Sequence, residues 1–258
     1  MAIFVSYESE TYKFISASQL SNNNQILAID YLVYSLKSYN LWNKMKAVYP
    51  FVGGTAFTHK WNLINPIDSD NAFRLTFGSG VTHSNNGVLP DATYNSITNT
   101  NINPQTDLIF NNTHLSYYNR TTSSLNYYSE IGNINTYDVN YMLNLSVRWY
   151  NAAASTQYSS VYPIGTSSVD GLGLTISSKI DSNTLKLYIR GLQQGLSIGG
   201  GLGLPNDLQL FSSFYGAVKR VTDKECAFAS IGDGLTDTDA LNLYNIVQQY
   251  QTLLNRQV

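Results

Sequence analysis

The stretch that decides the fold is Cys226–Gln251, "CAFASIGDGLTDTDALNLYNIVQQYQ". A short apolar, strand-like run ends at Gly232-Asp233-Gly234, and a helix starts almost at once. Thr236 reads as its N-cap, and Asp239, three residues on, supplies a carboxylate to the positive amino end of the helix. Ala240, Leu243, Tyr244, Val247 and Leu254 form one apolar stripe. That stripe predicts a helix lying on a β core, with its polar side in solvent.

Upstream of this stretch the chain has the texture of such a core. "HLSYYNRT", "MLNLSVRWY", "GLGLTISSKI", "TLKLYIRG", "FRLTFGSG" and "LQLFSSFYGAV" read as short strands between Gly, Asn and Ser turns. In "TLKLYIR", Leu185, Leu187 and Ile189 alternate with Lys186, Tyr188 and Arg190, which predicts a strand with one buried face. "SSKIDSNTLKLYIRG" reads as strand, Asp-Ser-Asn turn, strand: a hairpin. "HSNNGVLPDATYNSITNTNINPQ" and the Gly-rich "GLQQGLSIGGGLGLPND" read as connections. Many short strands without a repeat favour a sandwich.

Residues 1–50 differ. After an Asn-rich cap region, Ile29, Leu32, Val33 and Leu36 fall at helical spacing. Asn40 is expected to interrupt the helix, a short second turn to carry Leu41, Trp42 and Met45, and Pro50 to end it. Tyr31, Tyr34, Tyr39 and Trp42 exceed what one buried stripe requires. The expected division is therefore an N-terminal helical attachment segment, 1–50, and a β-sandwich, 51–258. The segment is read either as a cap on the core or as a docking element for another chain.

Composition removes several function classes. The chain has 258 residues, only 12% of them charged, and a net charge of −2, against about 25% charged in an ordinary soluble domain. No basic cluster suited to phosphates is present, so nucleic acid is not an expected partner. One cysteine, Cys226, excludes an internal disulfide and is expected to be a buried, inert thiol. The start, "MAIFVSYESETYKF", has no basic n-region followed by an apolar run, so no signal peptide is read and synthesis in a cytoplasm is expected. No apolar run has the length of a membrane span.

The run "LKLYIRG", then "FYGAV", then "ASIGDGLTDTDALNLYNIV" resembles the closing part of concanavalin A-like and laminin-G-like sandwiches, in which a strand hairpin precedes a final strand and one short packed helix. That resemblance implies a mainly β, concanavalin A-like jelly-roll sandwich with an N-terminal helical segment and a C-terminal capping helix. "LWNKMKAVYPFVGGTA", "DSDNAFRLTF", "THLSYYNRT" and "ECAFASIGDGLTDTDALNLYNIVQQYQTLLNRQ" together are similar to structural proteins of tailed bacteriophages. This implies a non-enzymatic capsid or tail fibre, spike or decoration subunit on the virion surface. Its implied partners are other virion proteins, bound through the N-terminal segment, and host-surface carbohydrate; a homo-oligomer is left open.

Enzymes of this superfold are glycoside hydrolases, which need two carboxylates facing one cleft. The four glutamates, Glu8, Glu10, Glu130 and Glu225, form no such strand motif, and Asp68 and Asp70 sit in a turn after Pro66. His59, His83 and His114 are scattered, and their sequence neighbours Ser84 and Ser116 do not make a triad. A carbohydrate-active enzyme is the alternative reading, and a cellular lectin or adhesin a third. Calcium binding, which laminin-G-like domains often show, has Asp68, Asp70, Asp233 and Asp237 as candidates by type, against acids that cap turns and helices; no other cofactor is expected. Sugars also bind on aromatic platforms flanked by amides and carboxylates. Trp149, Tyr150 and Tyr158, in "RWYNAAASTQYSSVY", are the platform candidates.

Overall fold

The run Cys226–Gly232 is a strand buried along its whole length, and it lies inside the larger of two sheets. The computed structural model describes residues 6–122, 128–133, 138–148, 154–158, 161, 165, 170–199, 202–215 and 218–258. The chain opens with helices α1 (Ser9–Ser18) and α2 (Asn23–Ser38), then strand β1 (Met45–Tyr49) and the short α3 (Ala56–His59). Next come β2 (Val81–Ser84), β3 (Gly87–Pro90), β4 (Thr98–Asn99), α4 (Pro104–Asp107) and β5 (Thr113–Asn119). The middle holds β6 (Ile131–Gly132), β7 (Leu143–Ser146), β8 (Ser155–Tyr158), β9 (Gly173–Lys179), β10 (Thr184–Ile189) and β11 (Leu192–Ile198). Last are β12 (Gln209–Leu210), β13 (Ser212–Tyr215), β14 (Val218–Val221), β15 (Cys226–Gly232) and α5 (Asp237–Leu253).

The pairings are antiparallel. An eight-stranded sheet runs β11-β10-β9-β5-β15-β3-β2, with β1 also paired to β15. A five-stranded sheet runs β4-β12-β6-β7-β8, and β13-β14 is a separate hairpin. Period-two alternation sends side chains of β1, β5, β10 and β15 into two cores. Leu115 and Tyr117 of β5, Leu185 and Leu187 of β10, and Ala229 and Ile231 of β15 fill the space between the sheets. Tyr118, Leu174, Ile176, Tyr188 and Phe228 face the other way, under Phe14, Ile29, Leu32, Leu36, Leu243 and Val247 of α1, α2 and α5. The molecule is thus a β-sandwich whose outer sheet face is sealed by helices.

The closing helix forms as its residues dictate. Thr236 Oγ1 accepts from the Asp239 backbone N–H while Asp239 Oδ2 accepts from the Thr236 N–H at 2.9 Å, a reciprocal capping box. Ala240, Leu243, Ile246, Val247 and Tyr250 are buried. Tyr188, expected on an exposed face of β10, is buried too, because α5 covers that face; its hydroxyl donates to Asp237.

The boundary expected at residue 50 requires correction. The short second turn expected at Leu41–Met45 is present as the 3-10 turn Trp42–Lys44, but its C-cap, Met45, continues directly into β1, and Ala47–Tyr49 pair with β15 in the middle of the core. Arg256 closes the junction: fully sunk, it donates to the carbonyls of Pro50, Phe51 and Ala227 and to the Gln251 side chain. Residues 6–50 therefore share the hydrophobic core with the sandwich. Further corrections concern connections. The polar stretch from His83 holds the β2–β3 hairpin, turned by Asn85-Asn86 ahead of Gly87, and the Gly-rich stretch from Gly191 holds β11. "FRLTFGSG" forms no strand beyond an isolated Thr76–Asn99 bridge.

Candidate functional site

Histidines and serines do meet in this fold. His114 Nδ1 donates to the Asp233 carbonyl at 2.6 Å, which leaves Nε2 to accept from Ser230 Oγ at 3.0 Å; Ser116 Oγ lies 2.6 Å from Ser230 Oγ. The side chains of His114, Ser116 and Ser230 have zero exposure beneath the helical layer, so no substrate reaches either serine. Burial also holds the His114 imidazole down at about 4, too acidic for a base at neutral pH. His59 and His83 meet Nδ1 to Nδ1 at 3.1 Å. His59 Nε2 accepts from the Gly54 N–H, so its Nδ1 carries the proton and donates to His83. These are structural networks.

The glutamates are likewise engaged. Glu130 and Lys224 form an ion pair at 3.2 Å with no exposure on either side chain. Glu130 also accepts from the Val147 N–H at 2.6 Å and from Thr222 Oγ1 at 2.9 Å. Glu225 pairs with Arg120, and Glu8 and Glu10 share Lys37. Two aspartates, Asp107 and Asp233, do line one cleft of about 380 Å³ with Lys44 and Lys46. Asp107 is taken up there as the acceptor for the Asn103 N–H, and Lys44 by Asp239.

The calcium candidates are not assembled into a site. Asp68 and Asp70 share Arg74 as counter-ion, with Lys60 also on Asp68. These cations hold the Asp68 carboxyl below the usual range. Asp237 is bound by Lys186 and Tyr188, and its carboxyl is likewise held down. Among the described residues no group of three or more His, Cys, Asp or Glu is placed to hold a metal ion. Cys226 is buried, and burial raises its thiol far above the usual range.

Of the platform candidates, Trp149 and Tyr150 lie outside the described residues. Tyr158 is corrected: its ring is 1% exposed and packs in the core between the sheets, so it offers no face to a ligand. An aromatic that the sequence reading missed does. Tyr141, two residues before β7, is 38% exposed. It separates two adjoining cavities of about 250 and 280 Å³ that share it and Gln105. Asp138, Pro205 and Asn206 line one, and Leu108, Phe110, Gly203 and Leu204 the other.

Local chemistry builds this groove. Asn103 caps α4 and Pro104 starts it, which sets Gln105 on the rim. Gln105 Nε2 donates to the Leu204 carbonyl at 3.0 Å, tying α4 to the opposite wall. Asp138 caps the turn into Tyr141 by accepting from the Asn140 N–H at 2.9 Å. Gly203 is required by close approach: a Cβ there would lie 2.9 Å from Tyr141 Cε1. An aromatic ring with an amide, a carboxylate and a second amide around it can stack on one face of a sugar and pair with its hydroxyls. Nothing in "DVNYML" marks Tyr141 out among 20 tyrosines. Only the fold brings it to residues 36 and 65 positions away.

No family model matches this chain, and no curated protein matches it. Its fold is found among solved structures. Domain 4 of AbnA, a GH43 extracellular arabinanase from Geobacillus stearothermophilus solved with arabinotriose, aligns at TM-score 0.50 and 14% identity, over 78% of this chain and 98% of that one. A Trypanosoma rangeli sialidase mutant displaying trans-sialidase activity aligns at TM-score 0.50 and 7% identity, over 89% of this chain but only 39% of that one. The binding domain of botulinum neurotoxin serotype G aligns at TM-score 0.47 and 14% identity, the match spanning 51% of that chain. At these identities the likeness is one of fold: a β-sandwich, as the strand texture predicts.

Proposed function

We propose that this chain is a non-catalytic carbohydrate-binding protein that holds a neutral sugar in the Tyr141 groove. The observation that carries this reading is the exposed Tyr141 ring between Gln105, Asp138 and Asn206 in a shallow cleft. Sugar recognition needs an aromatic face and planar hydrogen-bonding groups; hydrolysis needs two facing carboxylates besides. The phage resemblance of the sequence extends the proposal: the chain would sit on a virion surface, and the sugar would belong to the host. The arabinanase domain, solved with arabinotriose, makes arabino-oligosaccharides the first ligands to try.

The test is calorimetric titration of the full chain with arabino-oligosaccharides and a panel of neutral bacterial glycans. Saturable binding that weakens at least about tenfold in Tyr141→Ala supports the proposal. The glycosidase alternative is favoured by one observation, the shared cleft of Asp107 and Asp233. Release of reducing ends from arabinan, β-glucan or exopolysaccharide, abolished by Asp233→Asn, would replace the binding reading with that one.

A further inference from the structure

A second cleft has different chemistry and shares no residue with the Tyr141 groove. It encloses about 290 Å³, lined by Ala92, Thr93, Tyr94, Tyr128, Lys219, Arg220 and Val221, near the lower limit of small-ligand sites at about 300 Å³. Tyr94 is 62% exposed, and its hydroxyl donates to the Lys219 carbonyl at 3.2 Å, which anchors the ring on the rim. The Arg220 guanidinium lies over the Tyr128 ring, 5.9 Å from its centroid, a cation–π contact that fixes the plane of the fork. Val221 closes the floor, 2% exposed.

Arg220 has no anion. Its Nε is buried and meets no hydrogen-bond partner. Most cations here are matched: Lys37, Lys44, Lys60, Arg74, Arg120, Lys186, Arg190 and Lys224 each pair with a carboxylate. All 17 Asp and Glu lie among the described residues, so no undescribed segment supplies the missing partner. The acids nearest to it in sequence do not serve: Asp223 makes no ion pair, its Oδ1 buried without a hydrogen-bond partner, and Glu225 pairs with Arg120. Asp91, beside Ala92 of the cleft, spends Oδ1 on the Thr93 N–H, the Thr93 hydroxyl and the Ser96 hydroxyl. The bend that brings Thr93 and Tyr94 to the cleft is bought with a left-handed Ala92, φ +61°, a conformation that costs a non-glycine residue about 1 kcal/mol or more.

We infer that the Tyr94–Tyr128–Arg220 cleft is a second carbohydrate subsite, selective for a sugar that bears a carboxylate. The guanidinium fork matches a planar carboxylate in a bidentate pair. The tyrosine rings offer apolar faces to the C–H side of the same sugar. A free sulfate or acetate engages the fork and leaves the rings bare. The site is independent of the neutral-sugar reading and stands or falls without it.

The experiment titrates the full chain with methyl glucuronide and N-acetylneuraminic acid, with methyl glucoside, sulfate and acetate in parallel, following the tyrosine ring resonances by NMR. Expected are saturable shifts for at least one sugar acid, weakened at least about tenfold in Arg220→Gln and in the charge-keeping Arg220→Lys. Sugar-acid binding should also weaken as salt is raised. Tyr141→Ala should leave it unchanged. The proposal is overturned if no sugar acid shifts the wild-type rings. It is equally overturned if methyl glucoside, sulfate or acetate binds as well as the sugar acids, or if Arg220→Lys binds undiminished. The wild-type arm decides the matter even where a variant does not fold.

Discussion

The two faces of the eight-stranded sheet do different work. One is sealed by α1, α2 and α5 and is apolar, with a polar network of His114, Ser116 and Ser230 shut beneath it. The other packs on the five-stranded sheet. The loops around that second sheet carry Tyr141 and Gln105, and the β14 hairpin carries Arg220 beside Tyr94 and Tyr128. If the clefts bind sugars as proposed, stability and recognition are spatially separated in this fold. Changes under the helices should lower the unfolding midpoint and spare binding, and changes at the sheet-side clefts should do the reverse.

The largest effect is expected between the sheets, where Lys224 neutralises Glu130. Lys224→Met leaves a carboxylate buried without its cation and should cost about 3–5 kcal/mol by chemical denaturation. The double replacement with Glu130→Gln should recover much of that loss. A small cost for the single variant would mean that the Val147 N–H and the Thr222 hydroxyl satisfy Glu130 without Lys224.

Under the helices, Leu243→Ala should cost about 2–5 kcal/mol, the range for a buried leucine, without altering glycan binding by the folded protein. A negligible effect would mean that α5 contributes little to the core, and would break the division of the two faces at its base.

Acid provides a graded probe of the buried histidines. Burial lowers His59, His83 and His114 below their ordinary value. The unfolded chain therefore binds protons first, and stability falls as pH drops below about 6.5, the unfolded value. His114, held at about 4, should alone account for about 3 kcal/mol lost between those two pH values. His114→Asn should flatten that part of the stability curve. An unchanged slope would show that the imidazole is not the titrating group. Smaller still, Thr236→Ala removes the cap of α5 and should cost about 1 kcal/mol.

How far the sequence discloses this division differs between the faces. Thr236, Asp239 and the Leu243–Val247 stripe identify α5, because a cap and a period of 3.6 are local signals. The stripe of α2 is equally visible, yet nothing local says that it lies beside α5 on the same sheet. Its surplus aromatics suggested docking; Tyr34 and Tyr39 are indeed exposed, at 60% and 52%, while the stripe itself is core. The β2–β3 hairpin was signalled by Asn85-Asn86-Gly87 and lost in a polar stretch. The clefts were illegible for a stronger reason. Tyr141 meets Gln105 and Asn206, and Arg220 meets Tyr128 and Tyr94, only through non-local strand pairing, and no spacing rule joins such residues.

The proposal that this sandwich recognises carbohydrate at Tyr141 without turning it over can be tested directly. The most direct measurement is a glycan array probed with the wild-type chain and with Tyr141→Ala, whose exposed ring should contribute no more than about 0.5 kcal/mol to folding. The wild type should retain at least one class of neutral oligosaccharide, and Tyr141→Ala should melt at the same temperature and retain none of it. Retention by Tyr141→Ala equal to the wild type, or a wild type that retains no neutral glycan, would contradict the proposal.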